Sequence, residues 1–561
     1  MTRTRPWLMA LALAGMPAAV AAQARPAASG NPLQALPQIE APSKAPNVSV
    51  QVEHRTPALE QLLASRLTPS KIQIEGVRAL PFADVAARFS TLVGKDITIA
   101  ELIETADSVT RLYQQRGYAL SFAFVPAQTF ENGNVRITVV EGYVSEVTVT
   151  GNAGPSERKV REIAEPIRRE RPLRRDTFER YVNTLGLLPG LTIAATVPPP
   201  RSTDGATALE LNVVRKAINA GAGIDLHHPG VQGLLSMTEN GLAGFGEQLS
   251  LSALAPPGRD RQTYVAANAA LPVGTNGVVT HLDAAHYRGH PVDNPGLPSY
   301  VERTVVNEKL GLSASFPLYL RDAHKLTATV GGYASHDENS YRNTINGARL
   351  GLRSQVRVLQ AQLDYTEALP RQTRRANLTV AKAFDVLGAS KAGDTNVPGV
   401  TQTNPVSLNF VRTTASASQS NEWPWKIGTT VSLAGQYSPS TLPTSEQVAF
   451  GAQRFALGYQ PGEASGDSGW AAAFEINRPL AIHLPYLQTL TPYVSFDLAR
   501  VYLHTGAPAP AKLASVAIGL RITDAKHYSV DLSLAKAVAD APIESPSRSP
   551  RLNATFSYQL F

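Results

Sequence analysis

The residues best able to do chemistry stand in two short contexts. Gly466-Asp467-Ser468-Gly469 surrounds a serine with small residues, a setting that can present a nucleophile. Ala284-Ala285-His286 can present a general base, and this histidine precedes the serine, an order that working triads use. The chemistry would be acyl transfer. A triad, however, requires serine, base and orienting acid to converge within hydrogen-bond reach. Ser468 lacks the Gly-Pro that continues such a signature, and His286 lies in a stretch of alternating polarity, so catalytic residues are not expected. Metal chemistry fares no better. His227 and His228 are adjacent, and neighbours in a strand face opposite sides. The chain has no cysteine and no His-Glu-x-x-His. The glycines between Gly241 and Gly246 lack a phosphate-binding lysine and read as turns. No metal, cofactor or nucleotide is expected. Arg168, Arg169, Arg171, Arg174 and Arg175 form a basic run. It reads as a solvated loop between two helices, or as an electrostatic contact with a substrate or a membrane-protein rim. Nucleic-acid binding would need aromatic stacking platforms, which the run lacks.

If no site does covalent chemistry, the elements themselves must carry the function. At 561 residues the chain exceeds one ordinary domain. Arg3 and Arg5, an apolar stretch from Trp7 to Val20, and small residues at Ala22-Gln23-Ala24 predict a cleaved signal peptide over 1–24 and therefore export. No later run reaches the ~20 apolar residues that a transmembrane helix needs. A formal charge of +7 is modest for this length. Residues 25–68 are rich in Pro, Ala and Ser and read as a linker; Thr56-Pro57 opens a short helix that could plug a pore.

Residues 69–142 predict the order β-α-α-β-β. Lys71 to Glu75 alternates as a strand, and Phe82, Val85 and Phe89 fall at helical spacing. Thr98 and Glu101 form a capping box for a helix that stops at Gly117. Two strands follow, parted by Asn132-Gly133-Asn134. The same order recurs over 143–216, an internal duplication. From 217 to 561 helical periodicity gives way to alternation, as in Leu359, Ala361, Leu363 and Tyr365, or Val530, Leu532 and Leu534. Segments of roughly 8–10 residues suffice to cross a bilayer as tilted strands, and the length fits about 16 antiparallel strands of a transmembrane β-barrel. A soluble sandwich or propeller shares that period.

A resemblance favours the barrel. Tyr113 to Gly117 with Tyr118, then Pro126, Gln128, Gly133, and Glu141-Gly142, resemble the POTRA domain of two-partner secretion transporters, the haemolysin secretion/activation (TpsB, ShlB/FhaC/HecB-type) proteins. Asn240, Gly244 to Glu247 and Leu271 to Gly274 resemble that family's early barrel strands. The stretch from Phe450 through Arg454, Gly458 and Tyr459 to Gly466, Asp467 and Gly469 resembles its loop folded into the pore. Phe496-Asp497 resembles the wall motif facing that loop, and terminal Phe561 the outer-membrane insertion signal. Phe561 stands one residue out of phase with Leu552, Ala554, Phe556, Tyr558 and Leu560. The resemblance implies two periplasmic POTRA domains, a 16-stranded barrel in the outer membrane of a Gram-negative bacterium, and secretion of a large TpsA-like exoprotein. Lipid, lipopolysaccharide and, during biogenesis, the barrel-assembly machinery are the other partners implied. One position departs from the family. Leu457 stands where its loop carries an arginine paired to the wall aspartate. Either Arg454 replaces it, or Asp497 is left unpaired and the lock is absent.

The expected function is export of an unfolded polypeptide. It would join exposed sheet edges by β-augmentation and pass through a polar lumen, driven by folding outside without nucleotide hydrolysis. An insertase for other barrels and a passive porin are the alternatives.

Overall fold

The computed structural model describes residues 63–561, apart from positions 201, 227–230, 259, 292–297, 322, 453–454, 507, 509, 544 and 561. The expected signal peptide, nearly all of the linker and its helix, His227, His228, Arg454 and Phe561 lie outside the described residues.

The first module has strands Lys71–Glu75, Phe122–Phe124 and Asn134–Val140, with helices Phe82–Phe89 and Ile99–Gln115. Its long helix starts where Thr98 accepts from the Glu101 N–H and the Glu101 carboxylate accepts from the Thr98 N–H. Leu102, Ala106, Val109, Leu112 and Tyr113 then fall on one face and are buried. They pack on Val135, Ile137 and Val139, the inward positions of the central strand. Each of the leucine, isoleucine and valine side chains among them contributes about 1.5–3 kcal/mol by burial. The last strand pairs in parallel with the first and antiparallel with the middle one, so it lies at the sheet centre. The second module repeats this arrangement. Tyr143–Gly151 pairs in parallel with Ala206–Arg215, which is flanked by Leu191–Thr196. Helices Glu157–Arg169 and Arg175–Leu185 cover its sheet. The duplication read from the sequence is therefore also a duplication of sheet order.

From Ile218 onward the chain forms one closed antiparallel barrel. Gln372–Phe384 and Ser390–Thr395 both pair with Arg349–Leu369, so they are one interrupted strand. The same holds for Ser468–Asn477 and Leu480–Leu484 along Leu487–Tyr502. Among the described residues this leaves 16 strands. The sheet closes where Arg551–Gln559 pairs with Ile218–Asp225. Alternation sorts the side chains as expected. Val494, Phe496 and Leu498 are exposed on the outer face, while Ser495, Asp497 and Ala499 between them are buried. An apolar outer belt of this kind suits lipid. Strand length departs from the expected 8–10 residues. Val301–Arg321, His324–Asn343 and Arg349–Leu369 span 20 or 21 residues each, because beyond the apolar belt they continue as paired ribbon. No helix among the described residues is long and apolar enough to cross a membrane.

The second module sits on one rim of the barrel. Lys159 Nζ donates to the Gly274 carbonyl (2.9 Å), and Arg215 donates to the carbonyls of Asn240 (3.0 Å) and Gly241 (3.2 Å). Arg321 pairs with Asp176 at 2.9 Å, and the Arg158 guanidinium lies 5.3 Å from the centre of the Phe245 ring. Of the segments expected as early barrel strands, Asn240 and Leu271 to Val273 lie in strands, whereas Gly244 to Glu247 and Gly274 form turns. Gly241 to Glu247 links two strands, with the Glu247 carboxylate accepting from the N–H groups of Ala243 (2.5 Å) and Phe245 (2.9 Å). They form the surface that receives the second module.

Candidate functional site

Between strands Ile427–Tyr437 and Ser468–Asn477 the chain does not make an ordinary external loop. The described residues between 438 and 467 turn back and bond to side chains on the inner face of the barrel. Val448–Phe450 pairs with Ala464–Gly466 as a small hairpin. Phe450, Phe455, Ala456 and Tyr459 pack there on Ala499, Val501, Leu513 and Ala537 of the wall.

The tip of the loop docks against the last four barrel strands. Asp497, buried on the wall, accepts from Ser515 Oγ at 2.6 Å and from the Leu457 backbone N–H at 3.4 Å. The Leu457 carbonyl accepts from Asn553 Nδ2 at 3.0 Å. Of the two expected alternatives, the unpaired carboxylate is corrected by this geometry, while Arg454 lies outside the described residues. Asp497 is paired, but with a serine hydroxyl and a backbone amide of the same loop position that lacks the arginine. Gly458 lies flat on strand Tyr528–Ala537, where a Cβ would meet the Ala537 nitrogen at 2.6 Å. The Tyr459 hydroxyl donates to the Asp540 carbonyl at 2.7 Å.

The stem of the loop is tied at Asp467, which is fully buried. Its carboxylate accepts from the Leu442 N–H (2.8 Å) and the His504 N–H (2.9 Å), joining both arms of the loop to the next external connection. A Cβ on Gly466 would meet the Tyr502 carbonyl oxygen at 2.5 Å, and one on Gly469 the Arg500 carbonyl oxygen at 2.8 Å. Both glycines permit close backbone packing.

A second set of contacts escaped the sequence reading. The short turn Thr444–Glu446 docks on the opposite side of the lumen. Glu446 pairs with Arg412 at 2.7 Å and accepts from the Tyr333 hydroxyl at 2.8 Å. Asp337 accepts from Ser445 Oγ at 2.8 Å and Asn307 Nδ2 at 3.1 Å. Lys309 Nζ lies 3.6 Å from the centre of the Tyr333 ring. Tyr333 and Asp337 are on the seventh barrel strand and Ala537 ends the fifteenth. Those strands stand eight apart in a ring of 16, so the loop bridges the lumen. Alternation alone marks Tyr333 and Asp337 as inward; nothing local marks Glu446 as their partner.

Towards the opposite rim the lumen is lined by paired polar groups. Arg521 binds Glu475 through both terminal nitrogens (2.8 and 2.5 Å) and Asp531 through Nε (3.0 Å). Ser468 and His286 are not brought together. Ser468 Oγ donates to the Ser438 carbonyl (3.2 Å), whereas His286 bonds Glu308 (3.2 Å) on the outer face.

In the first module the motif residues mostly shape the fold. Glu141 accepts from the N–H groups of Arg78 (2.8 Å) and Ala79 (2.7 Å) and from the Tyr113 hydroxyl (2.8 Å). Burial and that carboxylate together push the Tyr113 phenol well up from its ordinary value. Tyr118 packs edge-on against Tyr113. Gln128 bonds both backbone groups of Arg136 (2.8 Å each) and the Pro126 carbonyl, capping the central strand where the middle strand ends. Gly117 ends its helix at φ +90°. Gly133 and Gly142 lie against backbone atoms of Thr68 and Leu120. The basic run belongs largely to its own module. Arg168 and Arg169 pair with Glu165, Arg175 pairs with Glu179, and Arg171 lies over the Tyr143 ring. Arg168 beside Glu165 holds that carboxyl down at about 2.

Comparison with known proteins agrees with this geometry. Residues 67–142 match the POTRA domain, ShlB-type, and residues 232–522 match the haemolysin secretion/activation protein ShlB/FhaC/HecB. The heme/hemopexin transporter protein HuxB of Haemophilus influenzae is 21% identical over 480 residues, covering 81% of this chain and 80% of HuxB. The outer membrane transporter CdiB of Escherichia coli O6:K15:H31 is 23% identical, covering 81% and 76%. A solved CdiB structure from Escherichia coli superposes with a TM-score of 0.66 at 19% identity, over 93% of this chain and 94% of that one, which supports the fold. The barrel therefore lies in the outer membrane with its POTRA region in the periplasm. With more than half its length matched by one family model, the chain belongs to the haemolysin secretion/activation family ShlB/FhaC/HecB of outer-membrane transporters.

Proposed function

We propose that the chain carries a large exoprotein, unfolded, from the periplasm through its own barrel, and that the inward loop is the element displaced during passage. The observation that carries this reading is the loop itself. It crosses the lumen from the seventh strand to the fifteenth, held by hydrogen bonds, the Arg412–Glu446 ion pair and modest apolar contacts rather than by a covalent plug.

Each periplasmic sheet has two edges. Phe122–Phe124 and Leu191–Thr196 are edge strands that an extended substrate could join backbone to backbone, with little demand on its sequence. The paired polar lining around Glu475, Arg521 and Asp531 offers a passing chain hydrogen-bonding groups without a strongly adhesive apolar surface. The chain acts without catalysis and without a nucleotide; folding of the exoprotein outside biases its movement. The apolar outer belt meets lipid, and lipopolysaccharide on the outer leaflet. The barrel-assembly machinery inserts the protein.

A strain lacking this protein tests the reading. Loss of one large surface or secreted protein, with other outer-membrane barrels intact, is the expected result. General loss of barrels would instead identify an insertase.

A further inference from the structure

We propose that the Glu446–Arg412 pair is the principal anchor of the inward loop, the role that a tip arginine would otherwise fill. The polarity is reversed. The loop supplies the acid and the wall supplies the base.

The two attachment points differ in kind. At the tip, Asp497 is buried, and among the described residues the loop meets it through backbone amides, that of Leu457 at 3.4 Å. That is a neutral donor near the outer limit of hydrogen-bond length. At the stem-side turn, Glu446 is 2% exposed and Arg412 15%, with 2.7 Å between charged atoms. Charge-assisted bonds of this length are roughly twice as strong as neutral ones. Glu446 is further surrounded. Tyr333 donates to its carboxylate, while Gln436 Nε2 (2.9 Å) and Arg412 (3.4 Å) donate to its carbonyl. Next to it, Ser445 is fixed on Asp337 through both Oγ (2.8 Å) and N–H (3.3 Å). Asn339 donates to Thr444 at 3.2 Å. Three consecutive loop residues are thus held by three wall strands, His324–Asn343, Val411–Trp423 and Ile427–Tyr437, with Asn307 of Val301–Arg321 behind Asp337.

The location also fits an anchor. Glu446 lies before the hairpin Val448–Phe450/Ala464–Gly466, on the arm leading into it. Releasing Glu446 removes the ion pair to Arg412 and the bond from Tyr333 and leaves the turn on the weaker Ser445 and Thr444 contacts, while Asp467 still ties the stem. Separating a buried pair by deleting one member strands the other charge, so each partner should matter strongly and the two should not add.

The proposal concerns the loop's position and holds whether or not secretion is the barrel's function, so its test does not use secretion. The chain has no cysteine, and Ala456→Cys, at a fully buried tip position, gives a single probe. Labelling by a membrane-impermeant maleimide on intact cells reads how often the tip leaves the lumen. Glu446→Gln and Arg412→Gln should each raise the labelling rate at least about tenfold, with the double variant no faster than either single one. Asp497→Asn should raise it by a smaller factor. Heat-modifiable migration on gels verifies that each barrel is folded. Should either variant fail that check, Tyr333→Phe removes one bond to Glu446 alone and should still raise labelling about threefold or more. The proposal is overturned if folded Glu446 and Arg412 variants label at the parental rate, if their effects are additive, or if Asp497→Asn has the largest effect.

Discussion

Asp497 accepts a hydrogen bond from the backbone N–H of Leu457 at 3.4 Å, so the wall aspartate meets the loop position predicted to face it through the main chain and not the side chain. Any residue but proline can supply that donor. Leu457→Ala should therefore leave both backbone bonds, to Asp497 and from Asn553, in place. Leu457→Arg instead offers a guanidinium to a buried carboxylate. A charged bond contributes about 1.5–3 kcal/mol, which corresponds to roughly tenfold or more in an equilibrium. Planar-bilayer recordings should show Leu457→Ala close to the parent and Leu457→Arg with an open probability reduced about tenfold. An arginine variant that opens more often would show that the tip does not approach the wall in this register.

Gly458 rests on the backbone of the fifteenth strand. A methyl group there would lie 2.6 Å from the Ala537 nitrogen and 2.8 Å from the Lys536 carbonyl carbon, and backbone cannot step aside as a flexible side chain can. Gly458→Ala should lift the tip at a cost of about 1–3 kcal/mol. The barrel strands themselves are untouched, so folding should persist. Limited proteolysis from outside should cut within residues 450–462 of the variant and spare the parent. Equal protection would mean that the tip accommodates the methyl without leaving the wall.

Much of the architecture was legible because it rests on local period and capping. The Thr98–Glu101 box, the stop at Gly117 and the repeated element order all follow from residues close in sequence. So does the inward facing of Asp497 beside outward Phe496. What could not be read is long-range. Glu446 and Tyr333 are separated by 113 positions. Only closure of the barrel brings the seventh strand opposite the loop. The same is true of Gly241 to Glu247, whose composition says turn but whose role as a seat for Arg158 and Arg215 depends on where the second module comes to rest.

The Arg521 cluster makes a prediction about permeation. Arg521 offsets one of the two negative charges of Glu475 and Asp531 on the lumen side, Asp531 on the next strand and Glu475 two strands away. Arg521→Ala would leave two carboxylates facing the pore within the same ring. Cations would then be favoured over anions more than in the parent, because fixed charge on a low-dielectric wall sets the local ion population. A reversal potential under a potassium chloride gradient measures the change. The shift should shrink as salt rises and screening shortens to a few ångströms. An unchanged potential would mean that ions pass elsewhere than along this wall.

The Tyr113–Glu141 bond yields a pH dependence in the periplasmic region. Glu141 holds two backbone amides and the Tyr113 hydroxyl, so Glu141→Gln should cost the first module about 2–3 kcal/mol at neutral pH. Tyr113 supplies the titration. Its folded value is raised by burial and by the neighbouring carboxylate, whereas the unfolded phenol ionises near its ordinary value of about 10. Above that pH the unfolded chain has released a proton that the folded chain retains, so stability falls as pH rises. The stabilisation is complete below about pH 10 and is lost towards the higher folded value. Urea unfolding of residues 63–216, which contain both module cores, should show this alkaline loss in the parent and a flatter profile in Tyr113→Phe. Matching slopes in the two proteins would assign the alkaline sensitivity to other groups and leave Glu141 as a clamp for the backbone alone.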